Sequence, residues 1–190
     1  MTTRKKLLLL FVTLLGLQGC LSTSSSYYVL SLSPQPTATY ANKSRIIGVE
    51  KVTIPSYLNK REIAVAKSSS QITLLGNAVW GEDLDVGLTQ RLISFLQKKF
   101  NQPNVYAYPW GVDRQPTVRV KIDITRFIAQ GDKVYLDANW ELKSGSTQRR
   151  KASLFHTTVP TNSDADSIVS AMDKAFSQLE EAVAIGVRRY

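Results

Sequence analysis

The stretch TVRVKIDITRF, Thr117 to Phe127, restricts the possible folds of this chain more than any other. Val118, Val120, Ile122 and Ile124 fall on one side of an extended backbone. Arg119, Lys121, Asp123 and Thr125 fall on the other. Successive side chains of a strand point to opposite faces, so a period of two marks a strand with one face buried. After the turn QGDK, with Gly131-Asp132 at its tip, VYLDANWELK repeats the pattern. Val134, Leu136, Ala138, Trp140 and Leu142 take its apolar side. A further turn at Gly145-Ser146 leads to a third strand, SLFHTTV, Ser153 to Val159. An antiparallel meander of this kind hides one face and wets the other, and the hidden face needs a covering layer.

Two segments of helical period supply that layer. From Glu82 to Phe100, Leu84, Leu88, Leu92, Phe95, Leu96 and Phe100 recur at spacings of three and four. Glu82, Asp83 and Asp85 at the start and Lys98 and Lys99 at the end suit the helix dipole. Gly87 lowers the intrinsic propensity, and Pro103 stops the helix. After Pro160, with Ser163 or Asp164 as the cap, Ile168, Met172, Phe176, Leu179, Val183 and Val187 form the second stripe. Further strands are expected at Tyr27–Ser33, at Arg45–Ile54, in a hairpin of Glu62–Ser68 with Gln71–Leu75, and at Val105–Tyr108. The expectation is an α/β, α+β-like domain. It has one mixed sheet of about six to eight strands, two long helices packed on it, and the C-terminal helix last. Its core joins Val118, Val120, Ile122, Leu136 and Trp140 to Leu92, Leu96, Met172 and Phe176.

The start of the chain obeys other rules. Arg4, Lys5 and Lys6 precede an apolar run from Leu7 to Leu17. That run is about eleven residues, roughly 16 Å as a helix, against a hydrocarbon core of about 30 Å. A charged start, a short apolar run and small residues at its end describe a secretory signal peptide. It closes on LQGC, whose Cys20 is the only cysteine in the chain. LQGC resembles the bacterial lipobox. A thiol can carry a diacylglyceryl group through a stable thioether, Gly19 lets the peptidase reach the bond, and Leu17 fills an apolar pocket. Gln18 stands where a small residue is commoner. The expected organisation is a signal peptide at residues 1–19, a lipidated Ser-rich tether at 20–26, and a single domain at 27–190. Ser33 to Ser44 reads as a loose connector inside that domain. An acylated Cys20 leaves no thiol for a disulfide, so a mature chain of about 170 residues stands on its core alone. Leu21 after the cysteine, where Asp would retain a lipoprotein in the inner membrane, points to the periplasmic face of the outer membrane of a Gram-negative cell.

Charge and chemistry narrow the function. The signal peptide takes away three of 24 Lys and Arg and none of 15 Asp and Glu, so the net charge falls from +9 to +6. For an exported protein the available polyanions are headgroups, lipopolysaccharide and acidic proteins rather than nucleic acid, and solubility alone is the alternative account of the charge. His156 is the only histidine. One histidine without a free thiol excludes the usual zinc and nucleophile–base sites, and no glycine-rich phosphate loop occurs. Asp137 and Glu141, near Arg119, Lys121 and Asp123, read as cross-strand charge pairing. The sequence therefore predicts no catalytic residues, no metal and no cofactor.

Four stretches carry a family resemblance: YYVL from Tyr27, IGVEKVTIPSYLNKREIAV from Ile47, NAVWGEDLDVGLTQRLISFL from Asn77, and VDRQPTVRVKIDITRFIAQGDKVYLDANWEL from Val112. With the lipobox, their order and spacing resemble the paraquat-inducible protein C family, the ABC-type transport auxiliary lipoproteins. WGEDL departs from the family's commoner Trp-Ala-Glu-Pro-Leu, with Asp83 in the place of proline. The resemblance implies a non-enzymatic outer-membrane lipoprotein that serves an MCE-type intermembrane lipid transport system. Its partners would be an MCE-domain tunnel protein, an inner-membrane transport component, and further copies of itself in a homo-oligomer. An assembly lipoprotein (a pilotin) of another envelope machine, or a free periplasmic lipid carrier, are the alternatives.

The expected working surface combines Tyr27, Tyr28, Tyr57, Leu58, Lys60, Arg61 and Trp80. Large aromatics in loops are over-represented in binding hot spots. PSYLNKR, Pro55 to Arg61, places an apolar pair beside two cations. Tyr27 and Tyr28 can instead plug the first strand, and Trp80 can staple the helix that follows it to the core.

Overall fold

The computed structural model describes residues 24–41, 45–111, 115–147 and 149–190. The signal peptide, Leu17, Gly19, Cys20 and the first part of the tether lie outside the described residues. Eleven elements follow in order, one of them a 3-10 turn at Ser56–Leu58. They are β1 (Ser26–Tyr28), β2 (Ile47–Glu50), the 3-10 turn, β3 (Glu62–Ala66), β4 (Ile72–Trp80) and α1 (Leu84–Lys99). Then come β5 (Val105–Tyr108), β6 (Val118–Gln130), β7 (Lys133–Ser144), β8 (Arg150–Pro160) and α2 (Ala165–Arg189). The α+β sheet is mixed, with eight strands, and the C-terminal helix comes last.

β6 is the axis of the sheet. One of its edges pairs along its whole length with β7, which continues antiparallel to β8. Its other edge is shared. β2 pairs in parallel with Val118–Val120, Thr53 bridges to Asp123, and β3 pairs in parallel with Ala129–Gln130. Ile47 to Ala66 therefore behave as one interrupted strand, and Pro55–Arg61 is the excursion that interrupts it. Beyond β2 lies β5, and beyond β3 lie β4 and then β1. The tight hairpin of β6 and β7 turns on Gly131, whose φ of 61° is open to glycine at little cost.

Both helices lie on the apolar face. Val118, Val120, Ile122, Ile124, Val134, Leu136, Ala138, Trp140 and Leu142 are buried there, with Leu88, Leu92, Leu96, Met172, Phe176, Leu179, Val183 and Val187 from the helices. Gly186 makes room for the Trp140 indole, since a Cβ there would meet the ring at 2.4 Å. The cap of α2 is Asp164, whose carboxylate accepts from the Ser167 N–H at 2.8 Å. α1 begins after Asp83 at φ −61°, the value a proline ring would fix, so the departure from the family pattern keeps the backbone of the entry turn. α1 ends on Asn101 at φ 47°. Gln102 N–H bonds back to Gln97 O at 3.0 Å, a left-handed C-terminal cap in which Asn replaces the usual glycine.

A buried polar knot joins the helices. Arg91, fully buried, pairs through Nε with the equally buried Glu180 at 3.2 Å, and with Asp173 through its terminal nitrogen. Its other donors reach Ser177 Oγ, Asp173 O and Leu30 O. Burial pushes the Glu180 carboxyl up to about 7, against the pull of Arg91. A buried guanidinium is costly unless its donors find acceptors, and here each terminal arm has one.

Two expectations are corrected. The strand expected at Tyr27–Ser33 stops at Tyr28, and the connector is not loose in its described part. Residues 29–41 form a strap along the two helices: Leu30 is buried, Lys98 Nζ donates to Ser33 O at 2.8 Å, and Tyr40 N–H donates to Lys99 O at 2.6 Å. The strand expected to end at Leu75 runs on to Trp80, because Ala78–Trp80 find their partner in β1, some fifty positions earlier in the chain.

Candidate interaction surfaces

The residues singled out from the sequence meet around the start of α1. Tyr27 pairs with Val79 and Tyr28 with Trp80 across the β1–β4 ladder, and Trp80 N–H donates to Arg61 O at 2.7 Å. Tyr27 is 63% exposed, with the Arg61 guanidinium 6.0 Å from its ring centroid. Lys60 and Arg61 are exposed on the rim of a cleft of about 570 Å³. Glu82, Asp83 and Asp85 line the same cleft. Tyr28 turns away, and its hydroxyl donates to Asp166 at the start of α2 at 2.7 Å.

The remaining three differ from the expectation of an exposed surface. Leu58 is 3% exposed and Trp80 6%, both inside the core. Tyr57 is half-buried, and its hydroxyl accepts from the Phe127 N–H at 3.3 Å, which closes the excursion against β6. The spacing of PSYLNKR cannot bury Tyr57, Leu58, Lys60 and Arg61 together, and the structure divides them. The single 3-10 turn at Ser56–Leu58 rotates Tyr57 and Leu58 inward while leaving Lys60 and Arg61 in water. Trp80 is the staple between strand and helix.

A second surface is the wet sheet face that the alternation predicts, although its aromatic corner was not singled out from the sequence. The face of the sheet away from the helices carries no covering layer among the described residues. At its β5 corner Trp110 lies over Gly48, where a Cβ would sit 2.9 Å from the indole. Tyr106 and Tyr108 meet Trp110 edge-on, with centroids 5.7 and 5.5 Å away. The Arg119 guanidinium stands 5.3 Å from the Tyr108 ring centroid. Further along, Lys121 pairs with Asp123 at 3.1 Å. Glu141 receives Arg150 on both oxygens, at 2.9 and 2.7 Å, and this holds its carboxyl below the usual range. Leu154, on the outer strand β8, is 84% exposed. The one signal in the sequence was the crowding of Tyr106, Tyr108 and Trp110 within five positions, and its meaning depended on Gly48 lying opposite.

Of the two carboxylates, Asp137 and Glu141, read from the sequence as cross-strand pairing, only Glu141 is ion-paired among the described residues. Glu141 is held by Arg150 and Lys143, and Asp137 lies opposite His156 in the β7–β8 register. Among the described residues no group of three or more His, Cys, Asp and Glu is arranged to hold a metal ion, and no helix is long and apolar enough to cross a membrane.

An open mixed sheet with two helices on one face, a strap along the helices and an uncovered face on the far side is a fold with solved relatives. It matches the crystal structure of an uncharacterized protein with a TM-score of 0.70 at 20% identity, over 86% of this chain and 99% of that one. A Xanthomonas campestris protein matches with a TM-score of 0.67 at 16% identity, over 85% and 91%. Both likenesses are of fold alone. The family follows from the sequence itself: residues 28–184 match the model of the ABC-type transport auxiliary lipoprotein component, and the chain belongs to that family. Its relatives include the intermembrane transport lipoprotein PqiC of Escherichia coli (strain K12). The two are 28% identical over 186 residues, 95% of this chain and 97% of that protein. The PqiC of Shigella flexneri matches to the same extent.

Proposed function

We propose that this protein is the non-enzymatic outer-membrane lipoprotein of an MCE-type intermembrane lipid transport system. Cys20 carries the lipid after residues 1–19 are removed. The domain docks the periplasmic end of the MCE-domain tunnel protein as a homo-oligomer, while an inner-membrane component completes the system. The observation that carries this reading is the family match over residues 28–184, together with a full-length relative named as an intermembrane transport lipoprotein. The structure supports docking over lipid carriage. A carrier needs an enclosed apolar cavity. Here the space between sheet and helices is filled by Trp140, Phe127, Phe176 and Phe95. The uncovered sheet face instead offers aromatic side chains and cations of the kinds enriched at interfaces.

Two measurements test it. Cys20→Ala is expected to lose a palmitate label and to leave the outer-membrane fraction. The tagged wild-type lipoprotein, drawn from solubilised membranes, is expected to bring down an MCE-domain protein. A Cys20→Ala chain that still takes up label, or a wild-type preparation that repeatedly brings down no such partner, would count against the proposal.

A further inference from the structure

The two ends of α2 differ in charge and in what reaches them. At its start Asp164 caps the helix and Asp166 receives the Tyr28 hydroxyl. β1, the first strand after the tether, docks here. At its end four arginines arrive from three separate segments. Arg45 donates to the Val187 carbonyl in the last turn. The Arg149 guanidinium lies 4.8 Å from the centroid of Tyr190, whose hydroxyl donates back to Arg149 O. Arg188 lies 4.4 Å from the centroid of Tyr40 at the end of the strap, and Arg189 stands beside it. Arg45, Arg149, Thr117, Ser144, Thr147 and Tyr190 line a recess of about 290 Å³.

Helix-dipole complementarity accounts for Arg188 and Arg189. It does not account for Arg149, which the β7–β8 connection brings to the same end. Elsewhere some cations are matched, since Arg91, Lys99, Lys121, Lys143 and Arg150 each face a carboxylate, while Arg61, Arg119 and Arg126 stand singly on tyrosine rings. Among the described residues none of Arg45, Arg149, Arg188 and Arg189 faces a carboxylate. Two are laid on tyrosine rings instead. A ring under a guanidinium limits its orientations and leaves its N–H fork facing outward, the geometry that receives a carboxylate.

We propose that this basic end of the domain binds an acidic, carboxylate-rich segment of a periplasmic partner protein. The choice of a protein over a lipid headgroup rests on the reading of Cys20 as the anchor. Twenty-two residues of α2, roughly 33 Å, separate Asp166 from Arg188. The anchored end then faces its own membrane and the basic end faces away from it.

The test is an anisotropy titration of a labelled decaglutamate peptide with the detergent-solubilised lipoprotein. Decaglutamine serves as the uncharged control and dihexanoyl-phosphatidylglycerol as the lipid-class competitor. Wild type is expected to bind decaglutamate, more weakly as salt is raised. Arg149→Glu with Arg189→Glu is expected to weaken binding by roughly tenfold or more. Lys133→Glu, the same kind of reversal at the opposite end of β7, is expected to leave it unchanged. If the double reversal fails to fold by circular dichroism, Arg149→Gln with Arg189→Gln replaces it. Any of four results overturns the proposal: no binding by wild type, equal binding by the double variant, an equal loss in Lys133→Glu, or preference for the phosphatidylglycerol. The titration contains neither membrane nor transport partner, so its failure is distinct from a failed co-purification.

Discussion

Strands β6, β7 and β8 share one backbone but present two unlike faces. Towards the helices, Val120, Ile122, Leu136, Trp140 and Leu142 are closed off from water by α1 and α2. Towards the open side, Arg119, Lys121, Asp123, Glu141 and Arg150 satisfy one another or lie against aromatic rings. The difference shows where free energy resides. Burying an apolar side chain contributes about 1.5–3 kcal/mol, whereas an exposed ion pair contributes about 0–1 kcal/mol. Stability therefore depends on the helix face. The open face contributes little to stability, which leaves its side chains available for interaction.

The largest expected effect lies in the helix layer. Phe176 is fully buried, with its centroid 6.4 Å from that of Phe127 and under the Arg91 guanidinium. Phe176→Ala is expected to lower the unfolding free energy by about 3–5 kcal/mol in urea titrations. A loss below about 1 kcal/mol would mean that the helices are not packed on this face.

The next effect depends on pH. Glu180 is raised from 4.5 to about 7 by burial, opposed by Arg91 and aided by Asp173 and Glu181. The folded state therefore binds this proton more tightly than the unfolded state. The resulting stability is fully present below about pH 4.5 and is lost as pH rises through about 7, a change of as much as about 3 kcal/mol. Wild type is expected to show this decline and Glu180→Gln to lack it. Stability curves that run parallel for the two chains between these limits would remove Glu180 from the pH response.

The smallest effect belongs to the open face. Leu154→Ser is expected to change stability by less than about 0.5 kcal/mol, because its side chain already stands in water. A destabilisation comparable to that of Phe176→Ala would show that this face is covered in the folded protein, and the contrast between the faces would fall.

Much of this was legible in advance. The meander, its Gly131 turn, both helices and all nine expected core residues occur where alternation and the apolar stripes put them. The exposure of the residues expected at the working surface was legible only in part. Tyr27, Lys60 and Arg61 do reach water, whereas Leu58 and Trp80 do not. A loop between strands offers no period from which to read burial. The 3-10 turn that takes Leu58 inward is stabilised by β6, through Tyr57 and Phe127, seventy positions away in the chain.

By itself the sequence determined the period of each element, the side of each strand that seeks a cover, and the breaks at Pro55, Pro103 and Pro160. These are local properties, set by the geometry of the backbone and the polarity of neighbouring side chains. Only the tertiary structure decided that residues 29–41 form a strap, that Trp110 rests on Gly48, and that Arg149 joins Arg45, Arg188 and Arg189 at one end of α2. Each of these needs segments tens of positions apart to be brought together by the path of the chain around β6, and no local pattern specifies that path.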